Sequence, residues 1–354
     1  MNSDTPLPAH LSFKCAVTDS KGPRRSMEDA HSILVPFAGI HGQGFFAIFD
    51  GHAGKHAAEW CGENFAKVLL DVLRRRESMS IPDVLNKTFH DVDSSLSQIA
   101  VESEGRMHSG CTAVTAFLRL EDAQGQQSFV PHGFDPLAAD IPTNDDDEDE
   151  NGDIDAAQPR KHKGLLRSAL SSIGGSSNGP SHRPSSPSSQ IFMPPSSLPV
   201  RRVLYCANAG DARGVLCRGG RGIRLTYDHK GSDKQEAKRI MDAGGFVMSG
   251  RVNGVLAVTR SLGDSSMKEY VVGAPYTTET ELCEEDEFLI LACDGLWDVI
   301  EDQKAVELVR GVADPRKAAQ SLLEHAYENY STDNVTVLVV RFRNPPESVR
   351  DTTV

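Results

Sequence analysis

The sequence lacks both a long apolar run and an excess of basic charge. No stretch of the 354 residues approaches the roughly 20 apolar residues that a transmembrane helix requires. Residues 1–11 contain neither the charged region nor the apolar segment of a secretion signal. The formal net charge of −13 is atypical of proteins that bind nucleic acids or anionic membranes. We therefore expect a protein of the cytoplasm, the nucleus or both, without nucleic-acid or membrane partners.

The cysteines lack the pattern of a disulfide framework or of a zinc site. Their number, seven, is odd, and no two of them form a C-x-x-C pair. Most lie within apolar stretches, as Cys293 does after Leu291 and Ala292. This distribution predicts buried, reduced thiols in an intracellular protein.

The composition changes between residues 124 and 199. An acidic run at 145–150 and a short basic patch at 160–163 precede sequence rich in serine, proline and glycine. Such a segment buries too little apolar surface to offset the entropy lost on ordering. We therefore predict a disordered insertion at 124–199 within one discontinuous domain formed by residues 1–123 and 200–345. Residues 346–354 are expected to form a short C-terminal tail.

Hydrophobic periodicity outside the insertion predicts both strands and helices. The predicted strands are 44–50, 112–120, 203–209, 214–218, 288–294 and 334–342, and the predicted helices are 53–75, 81–100, 233–243, 302–311 and 315–330. Ser232 and Gln235 match a capping box, and Asp314 precedes a proline suited to the first helical position. Strands in hairpin-like pairs with long helices between them predict an α+β fold of packed sheets flanked by helices.

Aspartates stand at the ends of the most apolar predicted strands. Asp50 and Asp294 each follow such a run, and Asp333 precedes one. An ionised carboxylate beside an apolar core is costly unless it is paired or bound to a metal, and basic residues are scarce near these positions in the sequence. Taken singly, each Asp-Gly pair has an ordinary interpretation as a turn at the end of a strand.

Further carboxylates enlarge this set, namely Glu28, Asp29 and Asp211. Oxygen ligands without histidine or cysteine suit Mg²⁺ or Mn²⁺. Because glycine permits close backbone approach, the carbonyl of Gly51 is a further candidate ligand. Taken alone, His52 would be a structural histidine and Arg24 a surface charge. The combination of these residues favours a metal site.

Eight segments, read in order, resemble the successive motifs of the type 2C metal-dependent protein phosphatases, the PPM family. They are residues 24–31, 49–54, 109–113, 207–213, 228–230, 253–264, 292–298 and 331–336. Together they span nearly the whole chain outside the insertion. Residues 225–230 and 289–300 are similar to the fungal branch that acts on stress-activated MAP kinase pathways.

The resemblance implies a four-layer α/β/β/α sandwich, with two packed, mainly antiparallel sheets and a dinuclear metal centre at one end. It also implies a signalling enzyme in which a metal-activated water hydrolyses phosphoserine and phosphothreonine in proteins. The implied cofactors are two Mg²⁺ or Mn²⁺ ions per active site, with a weaker third. The implied partners are phosphoproteins, MAP kinases among them, and an adaptor protein, and the enzyme is expected to be a monomer.

Roles for individual residues follow from the same resemblance. Asp50 would bridge two ions, Asp294 and Asp333 would complete one ion site, and Glu28 and the Gly51 carbonyl would complete the other. Asp29 would orient these ligands, while Asp211 and Asp298 would join Asp294 in holding the third ion. Arg24 would bind the phosphate and His52 would act as the general acid. Asp264 matches a recurring acidic position to which no role is assigned.

Other functions are open to test against the sequence. A cysteine-nucleophile phosphatase requires arginine six residues after the cysteine, and none of the seven cysteines has it. The stretch from Gly51 to Lys55 lacks the spacing of a P-loop. The remaining alternative is a catalytically inactive relative that serves as a binding module. The presence of every matched ligand disfavours it.

Overall fold

The computed structural model of the protein describes residues 11–75, 79–104, 108–132, 134, 191–195 and 199–346. The helices are α1 (His56–Arg75), α2 (Ile81–Glu102), α3 (Lys234–Asp242), α4 (Asp294–Trp297), α5 (Asp302–Val309) and α6 (Pro315–Glu328). The strands are β1 (Lys14–Ser20), β2 (Ala30–Leu34), β3 (Gly44–Phe49), β4 (Gly51–His52), β5 (Gly110–Cys111), β6 (Ala113–Glu121), β7 (Arg201–Ala209), β8 (Arg213–Arg218), β9 (Arg221–Arg224), β10 (Val247–Met248), β11 (Arg251–Val252), β12 (Leu262–Gly263), β13 (Tyr276–Glu281), β14 (Asp286–Ala292) and β15 (Val335–Arg341).

Two five-stranded antiparallel sheets form the centre of the fold. Their strand orders are β1-β15-β14-β8-β9 and β13-β7-β6-β3-β2. The facing sides of the sheets share an apolar core to which Phe46 and Ile48 of β3 contribute. The alternate residues Phe45 and Phe49 point to the other side of their sheet, where they pack against helices. Burial on both faces explains why the central strands are continuous apolar runs.

Helices cover the outer face of each sheet. Helices α1 and α2 pack on the sheet that contains β3, where Phe65 of α1 contacts Phe45, Phe49 and Phe89. Helices α4, α5 and α6 pack on the sheet that contains β14. The predicted four-layer α/β/β/α sandwich is thereby confirmed. None of the described helices combines the length and the apolar composition needed to cross a bilayer.

The five predicted helices correspond to α1, α2, α3, α5 and α6 to within three residues at each end, whereas the short α4 was not predicted. The predicted capping box of α3 differs from the structure. There Asp233, and not Ser232, is the N-cap, because its carboxylate accepts hydrogen bonds from the backbone N–H groups of Gln235 and Glu236. The predicted N-cap at Asp314 is confirmed by its hydrogen bond from the N–H of Arg316.

Nine strands were not predicted: the two-residue strands β4, β5, β10, β11 and β12, and four strands of the large sheets that lack an apolar pattern. The four strands of the large sheets lie at sheet edges, so each has a partner strand on one side only. They are β1, β2, β9 and β13. The residues of β13 are all exposed or half-buried. An edge strand with solvent on one face does not need continuous apolar residues, so hydrophobic periodicity does not reveal it.

The two sides of the predicted insertion meet in one sheet. Strands β6 and β7 pair from Ala113 opposite Ala209 to Glu121 opposite Arg201. Residues 124–132 and 191–195 of the predicted insertion are described, and side chains of both stretches pack against the domain. Residues 133, 135–190 and 196–198 of the predicted insertion lie outside the described residues, as do 347–354 of the predicted tail.

Aromatic side chains explain why the ends of the insertion pack against the domain. Phe192 contacts the rings of Phe129 and Phe134, at centroid distances of 6.2 Å each. These rings cover buried Leu11 and Ile40. The backbone N–H of Phe192 also donates to the carbonyl of Gly39 at 2.7 Å. Composition over a long window obscured these few apolar residues.

All seven cysteines are described, and none forms a disulfide. Five are buried, Cys15 is half-buried and Cys283 is exposed. Burial raises the pKa of the Cys206 thiol to about 12, so it is neutral at physiological pH. Five of the seven cysteines thus have the predicted burial, and Cys15 and Cys283 are the exceptions.

Candidate metal centre

The three strand-end aspartates converge at one end of the sandwich. Strands β14 and β15 are antiparallel, with Ala292 opposite Val337, so the end of β14 lies beside the start of β15. This pairing brings Asp294 and Asp333 to the same edge. Asp50 follows β3 in the facing sheet, and the charges of Asp294 and Asp333 both act on it.

Asp29 lies beside Asp50 in the interior of this end. Carboxylate oxygens of both residues and the Sγ atom of Cys293 lie within 4.8 Å of one another. The hydroxyl of Thr336 donates to Asp29 Oδ2 at 2.6 Å, whereas Oδ1 is buried without a hydrogen-bond partner. Cys293 was not predicted to lie at this site. Burial raises the pKa of its thiol well above the usual range, so a neutral thiol lines the site.

Two glycines allow the segments that carry the aspartates to approach one another. A Cβ atom on Gly51 would overlap the carbonyl oxygen of Glu28, and one on Gly295 would overlap that of Asn334. The contact of Gly51 therefore brings Asp50 next to the segment that carries Glu28, and the contact of Gly295 brings Asp294 next to the segment that carries Asp333. From the sequence, these glycines were expected to let the backbone approach an ion. The structure gives a further reason, which is contact between two stretches of backbone.

Burial and mutual repulsion raise the pKa values of the clustered carboxyl groups. Burial, followed by the charges of Asp211 and Asp298, raises the pKa of Asp294 to about 8. Burial and the charge of Asp294 raise that of Asp50 well above its usual range. Burial raises the pKa of Asp29 to about 6. Bound divalent cations would remove this repulsion, and the unpartnered oxygen of Asp29 fits an oxygen-liganded site of this kind.

A second acidic group adjoins the first and includes a lysine. The Lys230 ammonium lies 3.5 Å from Asp211 Oδ2 and 3.0 Å from Asp298 Oδ1. Asp211 is buried, and its Oδ1 atom has no hydrogen-bond partner. Asp298, by contrast, is largely exposed. Lys230 belongs to the motif at 228–230 but had no predicted role, and its charge partly neutralises these carboxylates.

Arg24 lies at the exposed rim of the site and contacts Asp333. Its Nη2 atom is 2.6 Å from Asp333 Oδ2, and its Nε–H donates to the carbonyl of Thr332 at 3.2 Å. More than three hundred residues separate these partners in the sequence. The sequence neighbourhood of Asp333 therefore gave no indication of its basic partner.

Asn334 fixes the loop that carries Arg24 and Glu28. Its Nδ2 atom donates to the carbonyls of Lys21 and Ser26, both at 3.0 Å, and its Oδ1 atom accepts from the N–H of Glu28 at 2.8 Å. Glu28 also accepts hydrogen bonds through its carboxylate, from Ser26 and from the N–H of Gly54. This positioning role was not predicted, because a side-chain contact across the fold leaves no local pattern in the sequence.

His52 extends from β4 toward Asp264, at 2.7 Å from Nε2 to Oδ2. Strand β4 pairs with β5, and β12 pairs with the other edge of β5. This small sheet brings the two residues together although they are 212 positions apart. The structure thus gives Asp264, which sequence analysis left without a role, a direct contact with the predicted general acid.

This sandwich, with a cluster of repelling carboxylates where its strands end, has the features expected of a metal-dependent phosphatase. Comparison with known families gives the same class, since the Protein phosphatase 2C profile matches residues 13–124 and 191–335. The chain belongs to the protein phosphatase 2C family and is a metal-dependent serine/threonine protein phosphatase. The predicted family and enzyme class are confirmed.

Similar proteins include two from yeasts. The chain is 38% identical over 335 residues to Protein phosphatase 2C homolog 1 of Saccharomyces cerevisiae, covering 94% of this chain and 95% of that protein. It is also 38% identical over 329 residues to Protein phosphatase 2C homolog 1 of Schizosaccharomyces pombe, covering 93% of this chain and 72% of that protein. A phosphatase structure from Toxoplasma gondii shares the fold, with a TM-score of 0.62, 24% identity and coverage of 94% and 93%.

Proposed function

We propose that this phosphatase hydrolyses phosphoserine and phosphothreonine at a centre that holds two Mg²⁺ or Mn²⁺ ions. The observation that carries the proposal is the convergence of Asp50, Asp294 and Asp333, whose burial and mutual repulsion raise the pKa values of the first two. Carboxylates in such an arrangement require cations to be ionised together at neutral pH. Hard oxygen ligands of this kind suit Mg²⁺ and Mn²⁺.

The proposed ligands divide into two sets that share Asp50. Asp294 and Asp333 hold one ion, while Glu28 and the Gly51 carbonyl hold the other. The packing of Gly51 on Glu28 supports the second set, because it places both groups next to Asp50. Asp29 orients the ligands from the interior through its contact with Thr336. When bound, two divalent cations supply Lewis-acid activation of the attacking water and of the phosphate.

Arg24 and His52 act on the substrate in this proposal. Arg24 lies against the proposed ligand Asp333, so its planar guanidinium is near the centre and suits recognition of phosphate oxygens. The leaving group is the alkoxide of a serine or threonine, which is a poor leaving group. Proton donation by His52 would accelerate its departure by about 10²- to 10⁴-fold.

Ion binding measured by calorimetry tests the proposal. Wild-type protein freed of metal by chelation should bind two Mn²⁺ ions tightly and a third one weakly, and it should regain activity on a phosphothreonine peptide. Asp50→Asn should remove both ion binding and turnover while the circular dichroism spectrum stays unchanged. Ion-independent turnover of the chelated enzyme would contradict the two-ion centre. Folded wild-type protein that binds ions without turnover would instead favour the inactive binding module.

Asp211 and Asp298 are proposed to hold a weaker third ion together with Asp294. The buried and unpartnered Oδ1 atom of Asp211 supports a further cation at this position. Lys230 already contributes a positive charge to both Asp211 and Asp298. Competition with this ammonium group would make the third ion bind more weakly than the first two.

The substrates are proposed to include MAP kinases of stress pathways. The phosphatase is proposed to act on them as a monomer in the cytoplasm or nucleus, with the help of an adaptor protein. The similarity to two fungal phosphatases over most of the chain supports this proposal. The test is hydrolysis of a MAP kinase phosphorylated on both threonine and tyrosine of its activation loop. The phosphate on threonine should be removed and the phosphate on tyrosine should remain. A rate of hydrolysis no higher than that on an unrelated phosphoprotein would argue against MAP kinases as substrates.

A further inference from the structure

We propose that Asp264 is the positioning residue for His52, holding the imidazole so that Nε2–H faces Asp264 and Nδ1 faces the leaving group. This inference rests on the proposed function, in which His52 donates a proton to the substrate. The contact joins His52 Nε2 to Asp264 Oδ2 at 2.7 Å. Among the described residues, the structure gives His52 no second side-chain hydrogen bond.

The environment of Asp264 determines which nitrogen carries the proton. An ionised carboxylate only accepts hydrogen bonds, so the Nε2 atom beside it must be the donor. The hydroxyl of Ser261 also donates to Asp264 Oδ2. The Asp264 side chain is 9% exposed and the His52 side chain 25% exposed. The carboxylate is therefore a buried and fixed acceptor, while the imidazole reaches toward solvent and substrate.

The small sheet creates the space that this contact needs. Gly110 lies opposite His52 in the pairing of β4 with β5, and opposite Gly263 in the pairing of β12 with β5. A Cβ atom on Gly110 would overlap the carboxylate of Asp264. The carboxylate thus reaches His52 across the strand position that has no side chain. Any larger residue at 110 would displace it.

The backbone around Asp264 is held in an uncommon conformation. Gly263 and Asp264 both adopt positive φ angles, of 80° and 47°. Asp93 of α2 accepts a hydrogen bond from the N–H of Gly263 at 2.9 Å. It also forms an ion pair with Lys268 at 2.7 Å. Asp93 therefore supports the turn, and a separate carboxylate, Asp264, contacts the histidine.

This arrangement fits proton transfer to the leaving group. As water forms a new bond to phosphorus and the P–O bond to serine or threonine breaks, the Nδ1–H of protonated His52 gives its proton to the departing oxygen, and the histidine becomes neutral. The Nε2–H bond to Asp264 is retained throughout, and Nδ1 later takes a proton from water. Asp264 contributes by fixing the orientation of the ring.

The decisive experiment compares two substrates that differ in leaving group. A phosphothreonine peptide requires protonation of its alkoxide, whereas p-nitrophenyl phosphate releases a stable phenolate without it. Asp264→Asn should lower kcat on the peptide about 10- to 100-fold more than kcat on p-nitrophenyl phosphate. His52→Gln should show the same selectivity. Asp93→Asn, the matched control, should leave the ratio of the two rates unchanged, because Asp93 supports the turn without contacting His52.

The outcomes separate the inference from the function on which it rests. If His52→Gln is selective and Asp264→Asn affects both substrates equally, the positioning role is wrong and the general acid stands. If neither variant is selective, the proton-donor role of His52 fails, and the inference fails with it. Selectivity in Asp93→Asn as large as in Asp264→Asn would reduce Asp264 to a structural residue.

A measurement on the wild-type protein keeps the inference testable if Asp264→Asn does not fold. Nitrogen-15 NMR of histidine-labelled protein distinguishes the two neutral tautomers, and the His52 signal is assigned by its loss in His52→Gln. The Nε2–H tautomer is expected for His52. The Nδ1–H tautomer would overturn the proposal.

Discussion

Gly295 packs so closely against Asn334 that a Cβ atom on Gly295 would overlap the carbonyl oxygen of Asn334. In the same way, a Cβ atom on Gly51 would overlap the carbonyl oxygen of Glu28 on the other side of the site. In both places an aspartate precedes the glycine, and backbone contact places this aspartate beside a second acidic segment. The separation of the carboxylates thus depends on two positions without side chains.

Substitution of these glycines should therefore reduce activity. Gly51→Ala and Gly295→Ala are each expected to cost roughly 1–3 kcal/mol of stability through overpacking. A displacement of about 1 Å in the ligands would lower kcat on the order of 100-fold. Gly62→Ala in α1 is the control, because its nearest neighbours would lie at an ordinary 3.4 Å. Full activity of both site variants would contradict this account of the glycines.

The stability of the chelated enzyme should fall as the pH rises. Burial and neighbouring charges raise the pKa of Asp294 to about 8 from its usual 3.8. Between these values the folded state binds a proton that the unfolded state has lost, so the free energy of unfolding decreases with pH. Thermal unfolding in chelator should show a lower Tm at pH 8 than at pH 6.

Asp294→Asn should weaken this pH dependence and raise the Tm of the chelated protein at pH 8, because it removes one of the repelling charges. The same variant should lose Mn²⁺-dependent stabilisation and turnover. Asp242→Asn, at a side chain that is 64% exposed, provides the control. A chelated Asp294→Asn protein that is less stable than wild type at pH 8 would show that Asp294 is a structural residue.

Arg24→Ala should mainly impair substrate binding. The side chain is 54% exposed and its ion pair with Asp333 is a surface pair, so the stability cost should be about 0–1 kcal/mol. KM for a phosphopeptide should rise with little change in kcat, which is the pattern of lost ground-state binding. The neighbouring exposed Arg25→Ala is the control and should leave KM unchanged. A fall in kcat at constant KM would assign Arg24 to the chemical step instead.

Lys230→Met should strengthen binding of the third ion. The substitution removes an ammonium group that lies 3.0 Å from Asp298 and 3.5 Å from Asp211, so a cation can compensate both carboxylates. Calorimetric titration with Mn²⁺ should reveal a weak site that tightens in this variant. Lys234→Met, at an exposed position nearby, should not change it. Unchanged affinity in Lys230→Met would exclude competition by the lysine.

Two deletions of different length should differ in stability. Replacing residues 135–190 by a short Gly/Ser linker should preserve Tm and peptide phosphatase activity, since closure entropy depends weakly on loop length. Replacing 124–199 should lower Tm, because it also removes Phe129 and Phe192, which cover Leu11 and Ile40. Equal Tm values for the two variants would contradict this role of the aromatic contacts. Selective loss of a protein substrate would identify the segment as a docking element.

The sequence alone determined the fold class and the positions of the carboxylates. Strands such as β3 and β14 are buried on both faces, so they required continuous apolar residues, and an aspartate at the end of such a run was conspicuous. The order of the family motifs then predicted the four layers. These features depend on residues that lie close to one another in the sequence.

The tertiary structure alone decided which distant residues meet. The contacts of His52 with Asp264, of Arg24 with Asp333 and of Lys230 with Asp298 join positions 68 to 309 residues apart. Such pairs follow from strand register and loop path, which short-range patterns do not encode. The edge strands and the packed ends of the insertion were missed for a related reason, since few apolar residues suffice where one face meets solvent. Local chemistry therefore predicted the carboxylates, and only the assembled sheets determined their partners.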